Sequence, residues 1–370
     1  MKKIRVGIIF GGRSGEHEVS LVSAQSVMEA IDKDKFEVVP IGVTKGGRWI
    51  ASGDPLKALQ SGRPDESRPA ALLGDPSQRG LMRLEKGESH LTTGSVAELD
   101  VIFPVLHGPY GEDGTVQGLL ELADIPYVGA GVLGSALGMD KIAMKDIFRS
   151  HSLPVVKYLP FKRRDWECDP ELILKRIEAE LGYPCFTKPA NLGSSVGIAK
   201  AHNREELVAG VDEAALYDRK ILVEEGINAR EIEVSVLGND APIASVPGEV
   251  VPCNEFYDYA AKYIDDASQL LIPAPISPEL TERVRKLAVE AYLALDCAGM
   301  ARADFLLDRN SGALYISELN TIPGFTPISM YPKLWEATGL SYPELIERLI
   351  ELALERHADK SRSRTSYTVK

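Results

Sequence analysis

The chain opens on an apolar, β-branched run from Ile4 to Phe10. Gly11-Gly12 follows, and apolar residues then recur at helical spacing from Val19 to Ile31. The run fits a buried strand and the i, i+3/i+4 spacing fits one face of a helix, so the pattern predicts strand, glycine loop, helix. Glu37–Val43 and Leu99–Val105 read as further strands, an order that predicts an α/β fold with an open parallel sheet over residues 1–129. Gly53 to Gly94 is rich in Gly, Pro, Ser, Asp and Arg with weak periodicity, and reads as an insertion bounded near 48–97.

A second unit, 130–223, is predicted from a helix over Gly134–Ser150, a strand over Val155–Leu159 and a helix over Pro170–Leu181. Strands over Tyr183–Lys188 and Val196–Lys200 then enclose a Gly/Ser loop. Ile221–Glu225 is read as the start of a third unit, which occupies 224–370. It continues through Glu231–Leu237, a helix over Pro278–Leu295, a hairpin of Ala301–Leu307 with Ala313–Leu319, and a last helix over Tyr342–Arg356.

Forty-two Lys and Arg against 54 Asp and Glu leave a net charge of −12 over 370 residues. That balance argues against general nucleic-acid or anionic-membrane binding, so any phosphate should be held by a few placed groups. Cys168, Cys185, Cys253 and Cys297 are widely spaced, with no C-x-x-C, which predicts a reduced, cytoplasmic protein. Arg5 splits the first apolar run and charged residues follow it, unlike a signal peptide.

Several segments carry chemistry. Gly129-Ala130-Gly131-Val132-Leu133-Gly134 matches G-x-G-x-x-G. The acidic residue a dinucleotide site wants at the end of the next strand is absent, so the reading preferred is a turn between domains and not a nicotinamide site. Lys188 ends a strand before Gly193-Ser194-Ser195-Val196-Gly197, whose successive N–H groups and hydroxyls suit a phosphate clamp. The strand period puts Arg302 and Asp304 on one face of their strand, and Glu318 and Asn320 on one face of the next. Two carboxylates and an amide oxygen make a hard site suited to Mg2+ beside phosphates. Thr321-Ile322-Pro323-Gly324 follows directly, and a developing oxyanion could sit between the Gly324 N–H and Arg302. Glu16 lies at the mouth of the first strand-to-helix loop, where open sheets bind ligands, and as an anion it should receive a cation such as an amino group. His107, Lys141 and the aromatic segment Phe256–Tyr263 complete the candidates, the last as a closing lid.

Taken in order, G-G-x-S-x-E-H-E-V-S, L-H-G-x-x-G-E-D-G, M-D-K, G-S-S-V-G, F-Y-D-Y-x-x-K-Y and E-x-N-T-x-P-G resemble the D-alanine–D-alanine ligases of the ATP-grasp superfamily. The match runs from Gly11 to Met330 outside the insertion. The resemblance implies an ATP-grasp fold preceded by an N-terminal open-sheet domain. It implies ATP held by Lys141, Lys188, Ser195, Lys262 and Leu306, with Glu224, Glu225 and Ile227 at the adenine and Glu231 at the ribose. Asp304, Glu318 and Asn320 are implied to bind two Mg2+ (or Mn2+) ions. Glu16 would receive the first D-alanine ammonium with His107 nearby, Arg302 and Gly324 would hold the oxyanion, and Ser329 and Met330 would face the second D-alanine. Glu16, Ser194 and Tyr263 would tie the lid shut. Glu225 stands where some members have Lys, and Met330 replaces the commoner Leu. The activity implied is ATP-dependent joining of two D-alanines through an acylphosphate for peptidoglycan precursor synthesis, by a homodimer with no nucleic-acid or membrane partner. A non-catalytic relative of the same fold would be expected to lose metal ligands, and here all three are present.

Overall fold

The computed structural model describes residues 2–78, 80–86, 91–251, 269–326 and 328–366. In the first sheet Ile4–Gly11 lies between Phe36–Val43 and Val101–Val105, parallel to both, and Trp49–Ile50 pairs antiparallel at the edge. Val6, Ile8, Ile9 and Phe10 have no exposed surface, as expected of a strand covered on both faces. The insertion has a structure of its own, an antiparallel sheet of Ala70–Leu72, Gly80–Lys86 and Leu91–Glu98.

The second sheet runs Ala199–Ala201, Cys185–Pro189, Lys220–Glu225, Tyr158–Lys162, antiparallel throughout. Lys220–Glu225 is thus an inner strand of this sheet and does not open the third unit as its sequence position suggests. The helix expected over Gly134–Ser150 is two helices, Val132–Met139 and Lys141–Ser150. Asp140 breaks it by leaving helical backbone and accepting from the Ile142 and Ala143 N–H groups, a side-chain cap that starts the second helix. A helix over Arg204–Tyr217, capped by Asn203, covers the sheet; its mixed polarity hid it from a periodicity reading.

The third sheet runs Gln269–Leu271, Gly248–Val251, Ala229–Gly238, Gly299–Asp308, Leu314–Asn320, with Ile243–Ala244 on the far end of Ala229–Gly238. Its apolar face packs on the helix Pro278–Ala294. The last helix, Tyr342–Lys360, crosses back to the first sheet, so Leu345, Ile346, Leu349 and Ile350 share one core with Val6, Ile8, Phe10 and Phe103. Arg356 donates to the Tyr127 and Gly129 carbonyls beside it. At the glycine-rich run, Gly129 has φ +96°, and a Cβ on Gly134 would lie 2.6 Å from the Asp296 carbonyl oxygen. That run is a packed corner. Among the described residues no helix is long and apolar enough to cross a membrane.

Candidate active site

Three strands of the third sheet set the first part of the site. Glu233, Asp304 and Glu318 lie directly opposite one another across Ala229–Gly238, Gly299–Asp308 and Leu314–Asn320. Like charges in register are unfavourable, so the row needs cations. Arg302 supplies one: Nε and Nη2 each donate at 2.7 Å to the two Asp304 oxygens, and Nε lies 3.0 Å from Glu233 Oε2. Burial opposes the guanidinium charge, but Asp304 and Glu233 hold it protonated well above its ordinary range. Asn320 donates to Asp304 at 2.9 Å. The register shifts between Asp304 and Phe305, leaving Ser317 as the additional residue, and this bulge keeps Tyr315, Glu318 and Asn320 in phase with the site face. Two carboxylates and an amide on that face are hard oxygen donors, so their chemistry fits Mg2+ or Mn2+.

Lysines approach from the second unit. Lys141, at the start of its helix, donates to the Leu192 carbonyl at 2.8 Å and stands 3.4 Å from Glu318. The strand Cys185–Pro189 presents Lys188, whose Nζ is 2.7 Å from Glu224 Oε2, while Lys145 is 2.9 Å from Glu224 Oε1 and donates to the Ser317 carbonyl at 3.0 Å. Glu224 is 3% exposed and Lys145 1%. Burial alone would raise the Glu224 carboxyl, but Lys145 and Lys188 outweigh it and bring it down to about 2. Burial lowers Lys145; it also opposes the charge on Lys188, where Glu224 more than compensates and the net is upward.

The first unit contributes Glu16, buried at the N-terminus of the helix His17–Ala30. Ser194, in left-handed backbone at φ +51°, donates its hydroxyl to Glu16. A Cβ on Gly108 or Gly193 would fall 2.7 or 2.8 Å from Glu16 Oε2, so both glycines are required for the close approach. His107 is buried and faces the Ile322 carbonyl through Nδ1 at 3.1 Å, and burial holds its ring below the ordinary histidine range, neutral. Glu112, partly buried beside it, accepts from the Gly108 N–H at 2.7 Å and the Ile322 N–H at 3.2 Å. Burial, then the Glu16 charge, push its carboxyl up to about 8.

The structure therefore brings Glu16 to Ser194, Lys141 to Glu318, Lys188 to Glu224, and Arg302 to Asp304 and Asn320. Glu231 and Leu306 are opposite one another on the same face. The other candidates have surroundings of their own. The Glu224 carboxylate is spent between two lysines, the Glu225 N–H donates to the Lys157 carbonyl at 2.9 Å, and Ile227 lies in the connection after that strand. Ser195 shares the left-handed turn of Ser194 at φ +58°. Ser329 Oγ is 2.7 Å from Thr326 Oγ1 and would lie 2.8 Å from a Cβ on Gly324, while the Met330 side chain is buried with Val250 and Leu334. Lys262 and Tyr263, with the rest of the expected lid segment Phe256–Tyr263, lie outside the described residues. Lys145, Glu233 and Glu112 were not singled out from sequence. Lys145 follows Lys141 by one helical turn and Glu233 alternates with Glu231, so each had a signal. A cavity of about 20 Å3 remains among Glu112, Lys141, Gly193, Glu318 and Asn320. A larger one, about 490 Å3, lies behind the first sheet at Arg5, Asp100, Asp124 and His357, where the charges already pair with one another. Chemistry, not volume, marks the site.

Comparison with known proteins gives two family matches, the D-ala D-ala ligase N-terminus over residues 5–130 and the D-ala D-ala ligase C-terminus over 147–351. The chain is 54% identical over 369 residues to a D-alanine–D-alanine ligase of Natranaerobius thermophilus, covering 100% of both chains. It is 53% identical to one of Heliobacterium modesticaldum, covering 99% of this chain and 98% of that one. Among solved structures, the D-alanine–D-alanine ligase of Coxiella burnetii superposes with a TM-score of 0.82 at 34% identity, covering 98% of this chain and 97% of that one. The VanG D-Ala:D-Ser ligase of Enterococcus faecalis superposes at 0.83 and 38% identity, covering 95% and 100%.

Proposed function

The chain belongs to the D-alanine–D-alanine ligase family, and from that premise we propose that it joins two D-alanines at the expense of ATP, releasing ADP and phosphate, to supply the dipeptide for peptidoglycan precursors. The observation that carries the reading at the site is the meeting of three groups. A hairpin of hard oxygen donors, two lysines on neighbouring elements and a buried carboxylate at a helix N-terminus converge around the 193–197 loop.

Carboxylates are poor electrophiles, so ATP first converts the first D-alanine to an acylphosphate. Glu16 receives that substrate's ammonium, oriented by Ser194, with His107 nearby. Lys141 and Lys188 hold ATP phosphates, joined by Ser195 and by Lys262 of the lid. Leu306, Glu225 and Ile227 bound the adenine and Glu231 takes the ribose hydroxyls. Asp304, Glu318 and Asn320 would hold two Mg2+ or Mn2+ ions, which when bound supply neutralising charge to the moving phosphoryl group. The second D-alanine, placed by Ser329 and the main chain at Met330, attacks as a neutral amine; Arg302 and the Gly324 N–H stabilise the oxyanion. Tyr263, tied to Glu16 and Ser194, would keep water from the acylphosphate. A reduced cytoplasmic setting and a homodimer complete the proposal; Cys168, Cys185 and Cys297 are free thiols.

The test is phosphate release and dipeptide formation from D-alanine, ATP and Mg2+, with D-serine and D-lactate as competing second substrates. Phosphate release dependent on D-alanine, with D-Ala-D-Ala as the main product, is expected. No dipeptide, or release unaffected by D-alanine, overturns the reading.

A further inference from the structure

The loop that carries Gly324 is held from outside its own unit. His107 Nδ1 faces a carbonyl, so it carries the proton and donates to Ile322 O; Nε2 is then an acceptor, and Ser23 Oγ lies 3.3 Å from it. Ser23 Oγ in turn accepts from the Phe325 N–H at 3.3 Å. Glu112 takes the Ile322 N–H at 3.2 Å and, with its other oxygen, the Gly108 N–H at 2.7 Å. Both polar groups of the Ile322 peptide unit, and the N–H of Phe325, therefore end on residues of the first unit. Pro323 and Gly324 are the two residues between those fixed points. Ser23 and His107 are buried and Glu112 is partly so, which shields these bonds from most competition with bulk water.

We propose that Glu112 is a positioning residue. With His107 and Ser23 it forms a three-point clamp that fixes the Ile322–Phe325 segment, and so aims the Gly324 N–H at the reacting carbonyl. The carboxyl group is chemically suited to this because each of its two oxygens accepts from a different N–H, one on the substrate loop at Gly108 and one on the oxyanion loop at Ile322, and both can accept whether the group is ionised or protonated. It locks the two loops to a common register. An amide cannot do the same: Gln offers one acceptor oxygen and must turn its own N–H2 toward the second donor. Because the catalytic gain of an oxyanion donor depends on tenths of an ångström, a loosened clamp should lower turnover and leave nucleotide binding alone.

This inference rests on the ligase reading, and wild-type enzyme keeps the two apart: wild type that makes no D-Ala-D-Ala overturns the reading itself. Given active wild type, Glu112→Gln is expected to lower kcat for dipeptide formation roughly ten- to a hundredfold, the range for losing one buried hydrogen-bond partner, with the KM for ATP within about twofold. His107→Ala and Glu112→Gln act on one peptide unit, so the double variant should lose much less than the product of the single losses. If Glu112→Gln does not fold, Ser23→Ala removes the Phe325 anchor with a single oxygen and should give the same split between kcat and KM. Wild-type kcat in Glu112→Gln overturns the clamp; where that variant does not fold, wild-type kcat in Ser23→Ala does so. A KM for ATP that rises in step with the kcat loss overturns it too, as do losses that multiply in the double variant.

Discussion

Replacing Glu224 by Gln removes the shared counter-ion of two lysines while keeping the side chain's shape. The carboxylate sits 2.9 Å from Lys145 and 2.7 Å from Lys188, with almost no solvent access. A carboxyl held at about 2 against an ordinary 4.5 favours the folded state by about 3 kcal/mol at neutral pH. Mutational data on breaking buried pairs from one side give about 3 to 5 kcal/mol, so the two routes agree. At about 1.3 °C per kcal/mol for a chain of 370 residues, Glu224→Gln should lower Tm at pH 7 by roughly 4 to 7 °C. The sign with pH follows from the depressed carboxyl: the contribution is complete above 4.5 and disappears as pH falls toward 2, so the gap between wild type and variant should narrow in acid. Lys145→Met is the contrasting change. It leaves Glu224 neutralised by Lys188 alone, swaps a buried ammonium for an apolar chain of similar length, and should shift Tm far less. It should also bind Lys188 more tightly to Glu224 and raise the KM for ATP about tenfold. Calorimetry from pH 7 to 3 on both variants checks this. A Glu224→Gln protein melting within about 2 °C of wild type, or a gap that does not narrow below pH 4.5, would refute the reasoning.

Other outcomes follow from the same geometry. Asp304→Asn or Glu318→Gln should lower phosphate release by roughly 10²-fold or more while nucleotide binding, measured by calorimetry, changes far less; wild-type turnover in both would remove them from the metal site. Arg302→Lys keeps the charge but not the fork that spans both Asp304 oxygens and Glu233, so kcat should fall by roughly 10²-fold in a dipeptide assay, and near-normal turnover would argue against a geometric role. Gly193→Ala places a methyl against the Glu16 carboxylate and should raise the KM for the first D-alanine about tenfold in initial-rate measurements, an effect absent if Glu16 does not receive that substrate.

Legibility in the sequence followed the range of the signal. Ile4–Phe10 and the strand that carries Arg302 were readable because burial on both faces and strict alternation are local. The inner position of Lys220–Glu225 was not, since nothing in its own residues says which sheet it joins. Asp140 could have been read as a cap, but Gly134 to Ser150 has helical spacing on either side, which masked the break. At the site, Glu16, Lys141, Lys188, Arg302, Asp304, Glu318 and Asn320 stood out by residue type beside glycine loops. Glu112 and Lys145 act on partners far along the chain, Ile322 and Glu224, so although Lys145 sits one turn after Lys141 and Glu112 lies within the L-H-G-x-x-G-E-D-G motif, no local pattern names the groups they hold. Met330 shows the converse: read from its motif as facing a substrate, its side chain fills an apolar cluster.

The last helix has a consequence for how the protein is made. Leu345, Ile346, Leu349 and Ile350 complete the core beneath the first sheet, whose central strand is Ile4–Gly11. A ribosome working at about 5 to 20 residues per second needs roughly 17 to 67 s to travel from one to the other. Through that interval the face carrying Val6, Ile8 and Phe10 is covered only in part, by the helix His17–Ala30. The first unit to emerge is therefore among the last to be finished, and a chain arrested before Tyr342 would leave the part of that core which the last helix fills open to the crowded cell.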